Sequence, residues 1–339
     1  MHAGEVPVLR RLAAAARRLN RHIVLPEGED PRIVEGAARA AADGIARITL
    51  LGRPAVVRRL LDRYGAKGSN RISVEHPARS PRLDAYGEAW LRLRRGRDCD
   101  DRQTARRQVA EPLAFAAMMV RAGDADGTVG GAVATTAETV RAALRIIGPA
   151  PGISMVSSFF LMVLAREHHA RKGVVLFADC GLVVQPDAAE LAAIALASSR
   201  SYRALTGEEP KVAMLSFSTR GSASHPSLER IRDAVSAVRH QAPDLAIDGE
   251  MQFDAAFVES VCRVKAPDSP LAGAANVFIF PDLASGNIGY KIAERIGGAM
   301  AIGPILQGLA RPANDLSRGC TAEDVYCMIA VTAVQGAHA

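Results

Sequence analysis

Aromatic residues are scarce in this chain: Phe, Trp and Tyr make up 4% of its 339 residues, with a single tryptophan. Apolar residues still reach 49%, so Ala, Val, Leu and Ile must fill the core. No apolar run approaches the roughly 18 residues that a membrane-spanning helix needs, and no membrane partner is expected. Lysine occurs only at Lys67, Lys172, Lys211, Lys265 and Lys291; the other cations are arginines. The net charge of +6 favours anionic partners. It is dispersed, however, and no reader motif accompanies it, which argues against nucleic acid. The five cysteines (Cys99, Cys180, Cys262, Cys320, Cys327) lack metal-ligand spacing. Their odd number, with no secretion signal, leads us to expect a reducing cytoplasm.

Several motifs are missing too. There is no GxGxxG before a helix, no GxxxxGK[ST] and no HExxH, and no GxSxG. These gaps speak against a nucleotide kinase, a zinc hydrolase and an ordinary α/β-hydrolase.

What is present is a regular alternation. Short apolar runs at His22–Pro26, Ile48–Gly52, Gly127–Val133, Val174–Asp179, Lys211–Phe217 and Asn276–Pro281 read as strands, several of them continuous, as in sheets covered on both faces. Longer helical patterns lie between them. In Pro186–Leu205, Leu191, Ile194, Ala195, Ser198, Tyr202 and Leu205 share a stripe, and Pro186 suits the first turn. Val8–Arg21 reads as an ordinary first helix rather than a targeting peptide. Asp98–Arg107 reads as a surface loop or an exposed helix start. The pattern predicts a mainly parallel α/β architecture. The length favours two domains, with a boundary near the breakers Pro149-Ala150-Pro151-Gly152.

The densest chemistry is at the end, in GPILQGLARPANDLSRGCTAEDVY (Gly303–Tyr326). Ser317, Arg318 and Asp324 place a hydroxyl, a fixed cation and a carboxylate within eight positions, enough for acyl or phosphoryl chemistry. Arg carries a planar donor fork that fits phosphate oxygens, and Ser can donate to a developing oxyanion. Spacing alone leaves a solvated loop equally open. Thr321 could cap a helix that holds Asp324 at its third position. Thr135 and Thr136 would open another helix, whose free N–H groups suit an anion. Asp248 and Glu250 form an acidic pair at strand spacing without the further ligands a metal site needs.

NDLSRGC with an acidic pair after it resembles the C-terminal signature of the phosphate acetyltransferase (phosphotransacetylase) family, part of the phosphate acetyl/butyryltransferases. IVLPEGEDPRIVEGA (Ile23–Ala37), ADGTVGGAVATTAETVRAALRIIG (Ala125–Gly148), FADCGLV, MLSFSTRGS, DGEMQFDAA and FIFPDLASGNIGYKIA occur in the family's order. The resemblance spans about residues 20 to 336. It implies two α/β domains, of the isocitrate-dehydrogenase-like architecture, formed by residues 1–150 with 309–339 and by 151–308, around a central cleft that holds the active site. It implies reversible acetyl transfer between coenzyme A and phosphate by thiolate attack in a ternary complex, with acetyl-CoA, phosphate and acetyl phosphate as small-molecule partners, no metal and no tightly bound cofactor, in a homodimer. Ser317 and Arg318 match the family's catalytic pair and Asp324 its proposed base. Arg141 matches an arginine that contacts phosphates. Arg92 aligns with another, though Arg94 or Arg95 could be the equivalent. Asn314, Ser218 in SFSTRGS, and Tyr290 and Lys291 in GNIGYK, read as a tight turn before a helix, are further candidates for the substrate site.

The chain departs from the family's pattern at Ala134, where a His usually precedes TTA, at GLVVQPDA (Gly181–Ala188) and at RLRRG (Arg92–Gly96). Acyl preference is therefore open between acetyl, propionyl and butyryl. A catalytically weak sensor of acyl phosphate or coenzyme A is the rival from another class. Intact Ser317, Arg318 and Asp324 count against it.

Overall fold

A computed structural model describes residues 6–336; the outermost residues of the first expected domain, 1–5 and 337–339, lie outside it. The chain divides into two compact units. One ends at Gly152 and resumes at Leu309; the other is Ile153–Gly308.

The first unit begins α1 (Pro7–Leu19), β1 (His22–Leu25), α2 (Pro31–Ala42), β2 (Arg47–Leu51), α3 (Pro54–Arg63), β3 (Ile72–Glu75). It continues α4 (Leu83–Arg94), α5 (Arg102–Val109), α6 (Pro112–Ala122), β4 (Gly127–Gly130) and α7 (Thr136–Ala142), which runs on into a wide turn at 143–147. The second unit supplies β5 (Ser157–Leu164), β6 (Gly173–Ala178), α8 (Ala188–Thr206), β7 (Lys211–Leu215), α9 (Pro226–Gln241), β8 (Ala246–Met251). After them come α10 (Phe253–Phe257), α11 (Glu259–Lys265), β9 (Val277–Ile279), α12 (Leu283–Arg295) and β10 (Met300–Gln307). The chain then returns to the first unit as β11 (Ala313–Asp315) and α13 (Ala322–Gln335).

The first sheet is entirely parallel, in the order β11-β4-β1-β2-β3. Its strand order reverses between β1 and β4. In open α/β sheets, ligands gather outside the carboxyl ends of the strands at such a point. Ile23, Val24 and Leu25 are fully buried, the continuous apolar run of a strand covered on both faces. The second sheet, β10-β5-β6-β9-β7-β8, is parallel from β6 to β8 and antiparallel at β10 and β5. Both sheets fit the expected mainly parallel α/β class. Among the described residues no helix is long and apolar enough to cross a membrane.

Helix α13 is buried without interruption from Val325 to Val334. It packs against α2, where a Cβ on Gly36 would stand 2.7 Å from the Ala322 carbonyl and from the Val325 Cβ. Glycine there lets the start of α13 close on α2. Arg39 locks the approach with an ion pair to Glu323 at 2.5 Å, and the Tyr326 hydroxyl donates to Asp43 at 2.8 Å.

Two local expectations are corrected. Pro186 precedes the N-cap of α8, which is Asp187 in a capping box with Glu190; the helix therefore starts later than the stripe suggested. GNIGYK is not a turn before a helix but lies inside α12. Gly286 is retained there because α12 crosses the chain so closely that a Cβ would stand 2.3 Å from the Asp179 carbonyl.

Candidate active site

The segment after β1 builds the first wall. Asp30 caps α2 by accepting the Arg32 N–H at 2.8 Å, with Pro31 in the first turn. The Arg32 side chain folds back onto the same carboxylate through Nε at 3.0 Å and Nη2 at 2.8 Å. Its remaining donors reach three main-chain carbonyls: Ala132 at 2.8 Å, Arg318 at 2.6 Å and Cys320 at 3.2 Å. Arg32 thus ties the loop after β4 and the turn after β11 to the start of α2. The sequence pattern did not single it out. Its signal lay in the motif EGEDPR, where an arginine comes directly after Asp-Pro at a helix start.

Glu27 does the corresponding work for the loop after β4. Its carboxylate accepts the N–H groups of Gly131, Ala132, Val133 and Ala134 at 2.7–3.0 Å. Thr135 then caps α7 in a capping box with Glu138, whose carboxylate accepts the Thr135 N–H at 2.8 Å. Of the N–H groups expected to be free for an anion at Thr135 and Thr136, that of Thr135 is thus already engaged, as is that of Glu138, which donates to Thr135 Oγ at 3.3 Å. The protein's own carboxylates already occupy the donors before this short helix.

The turn after β11 is built from Ser317 to Cys320. The Cys320 N–H donates to the Ser317 carbonyl at 2.8 Å, and the Gly319 N–H to Ser317 Oγ at 3.2 Å. Ser317 and Arg318 are exposed on it. The Ser317 hydroxyl accepts one bond and keeps its own proton to donate. Thr321 caps α13, and Asp324 Oδ2 accepts the Thr321 N–H at 2.8 Å and its hydroxyl at 2.9 Å. No described residue hydrogen-bonds Asp324 Oδ1. Burial pushes the Cys320 thiol up to about 11, which leaves it a poor nucleophile.

Arg141 is exposed on α7 and forms no hydrogen bond or ion pair with a described residue. The Thr135 N–H and hydroxyl hold Glu138 below the usual carboxylate range, helped by the charges of Arg141 and Arg318. Both guanidinium groups therefore act on one carboxylate at the start of α7, and the Ser317–Arg318 turn and Arg141 belong to one locality. Arg145, four residues on, does not join them. It is half-buried, pairs with Asp98, and lies over the Trp90 ring at 5.7 Å. Arg94 is likewise engaged with Asp98. Arg92 and Arg95 are exposed, so of the three arginines Arg94 is the one already committed.

Other candidates are structural. Asn314 is fully buried; its side-chain amide donates to Thr332 at 2.8 Å and Gln335 at 2.7 Å, tying β11 to α13. That corrects its assignment to substrate. Ser218, in the second unit, is also fully buried, and its hydroxyl donates to Glu250 at 3.0 Å. That carboxylate also accepts Arg232 Nε at 2.7 Å and the Gly221 N–H at 2.8 Å. The Arg232 guanidinium holds it down to about 2. Asp248 pairs with Arg220 and Arg239. SFSTRGS is thus the connection between β7 and α9, pinned to the buried carboxylates of β8 by Arg220, Ser218 and the Gly221 N–H. Tyr290 stacks on Phe160 with ring centroids 4.0 Å apart. Lys291 is exposed and donates to Asn287 at 2.8 Å.

A groove of about 830 Å³ opens in the first unit at the switch point, lined among others by Glu27, Glu29, Asp30, Leu113, Val133 and Ala134. Its acidic residues are mostly satisfied: Glu27 by amides, Glu29 by Arg53, Asp30 by Arg32 and Glu138 by Thr135. An anionic substrate would thus face carboxylates whose oxygens are already engaged, beside apolar Leu113, Val133 and Ala134.

The family model described as phosphate acetyl/butaryl transferase matches residues 7–333. A phosphate acetyltransferase of Paracoccus denitrificans is 56% identical over 330 residues, covering 96% of this chain and 98% of that protein. One from Acetivibrio thermocellus is 45% identical, covering 93% and 94%. The crystal structure of a phosphotransacetylase from Streptococcus pyogenes superposes with a TM-score of 0.88 at 44% identity, covering 97% of this chain and 99% of that one.

Proposed function

The chain belongs to the phosphate acetyl/butaryl transferase family, and from that membership we propose how its residues move an acetyl group between coenzyme A and phosphate. The enzyme is an acyltransferase; its reaction is acetyl-CoA + phosphate ⇌ CoA + acetyl phosphate.

One observation carries the assignment of roles: the Arg32 guanidinium holds the main chain of both Arg318 and Ala132, in the loop that leads into α7, so the exposed Ser317, Arg318 and Arg141 belong to one locality. Two permanent cations in one place form a phosphate clamp. In the direction from acetyl phosphate, the coenzyme A sulfur attacks the carbonyl carbon, and the Ser317 hydroxyl donates to the oxyanion. Arg318 and Arg141 take the charge of the departing phosphate. Asp324 accepts the thiol proton at Oδ1 while Oδ2 stays in the helix cap. A carboxylate has two oxygens, so cap and base need not compete. Free aspartate and thiol differ by roughly 4–5 pKa units, about 6 kcal/mol. Proton transfer must therefore be concerted with attack, or the arginines must acidify the thiol. Positioning and charge stabilisation supply most of the acceleration. Both substrates are bound together, and coenzyme A is a substrate rather than a resident cofactor.

Ala134 leaves the groove wall small, which keeps propionyl and butyryl chains in play. One methylene is worth only about 1–3 kcal/mol. We further propose a homodimer working in the cytoplasm. Helix α12 and its C-cap expose Ile288 (58%), Ile292 (52%) and Ile296 (83%), four residues apart, a stripe that a second copy would cover. Release of free thiol from acetyl-, propionyl- and butyryl-CoA, with and without phosphate, tests the activity. Strict phosphate dependence with the acetyl substrate preferred is expected; release that ignores phosphate refutes it.

A further inference from the structure

Asp315 ends β11, two residues before Ser317, and the acetyl transfer does not use it. The residue is fully buried, and neither carboxylate oxygen meets a hydrogen-bond partner among the described residues. A Cβ on Gly131 would stand 2.1 Å from Oδ1. Only glycine fits there, at a φ of 102°. The amides that could have served Asp315, those of Gly131 to Ala134, are turned to Glu27 instead.

Its surroundings are otherwise neutral. β4 is Gly-Thr-Val-Gly and carries no titratable group. α13 offers Thr332 and Gln335 to neighbouring Asn314, while its acidic residues Glu323 and Asp324 are bound to Arg39 and Thr321. α7 faces Asp315 with the Thr136 and Thr139 hydroxyls; its charged Glu138 and Arg141 are exposed. Glu27 is the charged side chain acting on it. Burial, with Glu27 adding to it and the threonines opposing, pushes the Asp315 carboxyl up to about 6.

An ionised carboxylate that has only two threonine hydroxyls facing it and no cation, beside another carboxylate, is poorly compensated. Asparagine has the same shape and no charge. The position matters because Arg318 is close by in the chain. Three residues span at most about 10 Å, so the backbones of Asp315 and Arg318 lie within that distance of one another. That is comparable with the Debye length of about 8 Å at physiological salt, and buried charges are screened less.

We propose that Asp315 makes anion binding at the Ser317–Arg318 turn proton-linked, its carboxyl being neutral while a dianion is bound there and free to ionise once the dianion leaves. Asp315 does not touch the substrate; it is a positioning residue that acts through the local potential. The inference rests on the phosphate clamp of Arg318 and Arg141. Since like charges raise each other's pKa, the dianion must take up protons as it binds, and must bind more weakly once Asp315 is ionised.

The test uses inorganic sulfate, a dianion that does not itself titrate near neutrality, as an inhibitor competing with phosphate in the full-length enzyme. The wild-type inhibition constant should rise threefold to tenfold between pH 5.5 and 8. Asp315→Asn should hold the tighter, low-pH value throughout. Calorimetry in buffers of different ionisation enthalpy should show proton uptake with sulfate in the wild type and little in Asp315→Asn. A wild-type constant that is flat with pH, or uptake unchanged in Asp315→Asn, overturns the proposal; the wild-type result stands even if the variant does not fold. Arg318→Ala separates a misplaced clamp from a misassigned Asp315. If it leaves sulfate inhibition intact, the clamp itself is misplaced. If it abolishes inhibition while wild-type binding is flat with pH, only the role of Asp315 fails.

Discussion

The Arg32 guanidinium donates to the main-chain carbonyl of Arg318 at 2.6 Å, so one arginine holds another by its backbone and leaves the second side chain free. The fork that makes this contact also grips Asp30 and the carbonyls of Ala132 and Cys320. The catalytic turn is positioned from α2, almost three hundred residues earlier in the chain.

Arg32→Ala should therefore impair turnover without touching substrate. A displacement of about 1 Å in a reacting group can lower rates about a hundredfold. We expect kcat to fall ten- to hundredfold with the far-ultraviolet circular dichroism unchanged. Arg32→Lys should recover little, because one ammonium cannot span these partners. Wild-type kinetics in Arg32→Ala would show that the turn holds itself.

Glu27 is predicted to matter for stability first. Glu27→Ala leaves four amides without their acceptor, and each buried unsatisfied group costs about 1–3 kcal/mol. Water will reach some of them, so a net loss of about 3 kcal/mol is expected. Glu27→Gln, which turns an NH₂ toward amide donors, should lose about 2 kcal/mol. Urea unfolding monitored by fluorescence of Trp90 in the first unit reads both.

Asp315 and Glu250 should give opposite pH responses. The Asp315 carboxyl is raised to about 6 in the folded protein. The native state therefore holds a proton that the unfolded chain has lost, and stability falls as pH rises from about 4 through 6. The cost at pH 7.5 is about 3 kcal/mol at most. The advantage of Asp315→Asn over wild type should grow by about 1–3 kcal/mol between pH 5 and 7.5. Glu250 is the reverse: Arg232 holds it down to about 2, so its contribution is present above about pH 4.5 and is lost as pH falls toward 2. Glu250→Gln should destabilise the second unit by about 2–3 kcal/mol at pH 7 and much less at pH 3. Thermal melts across pH decide both, and a pH-independent difference in either case contradicts the account.

Much of this was legible in the sequence. The strands at His22, Ile48, Gly127, Val174, Lys211 and Asn276 announce themselves as apolar runs, and Thr321 with Asp324 reads as the capping box it forms. β11 did not, because its three residues, Ala313-Asn314-Asp315, look like polar loop chemistry. Only the pairing with β4 shows that Asn314 and Asp315 point into the interior. β8 was hidden for a similar reason. Asp248 and Glu250 stand at strand spacing, but two acidic residues are not the mark of a buried strand until Arg220, Arg232 and Arg239 are seen beside them. Arg32 and Glu27 were invisible because their partners are main-chain atoms, which a sequence does not distinguish.

The measurement closest to the central claim is phosphate-dependent thiol release from acetyl-CoA by Arg318→Ala and Asp324→Asn beside the wild type. The account predicts at least a hundredfold loss of turnover in each variant with the fold retained. Near-wild-type release from both would place the chemistry elsewhere in the molecule.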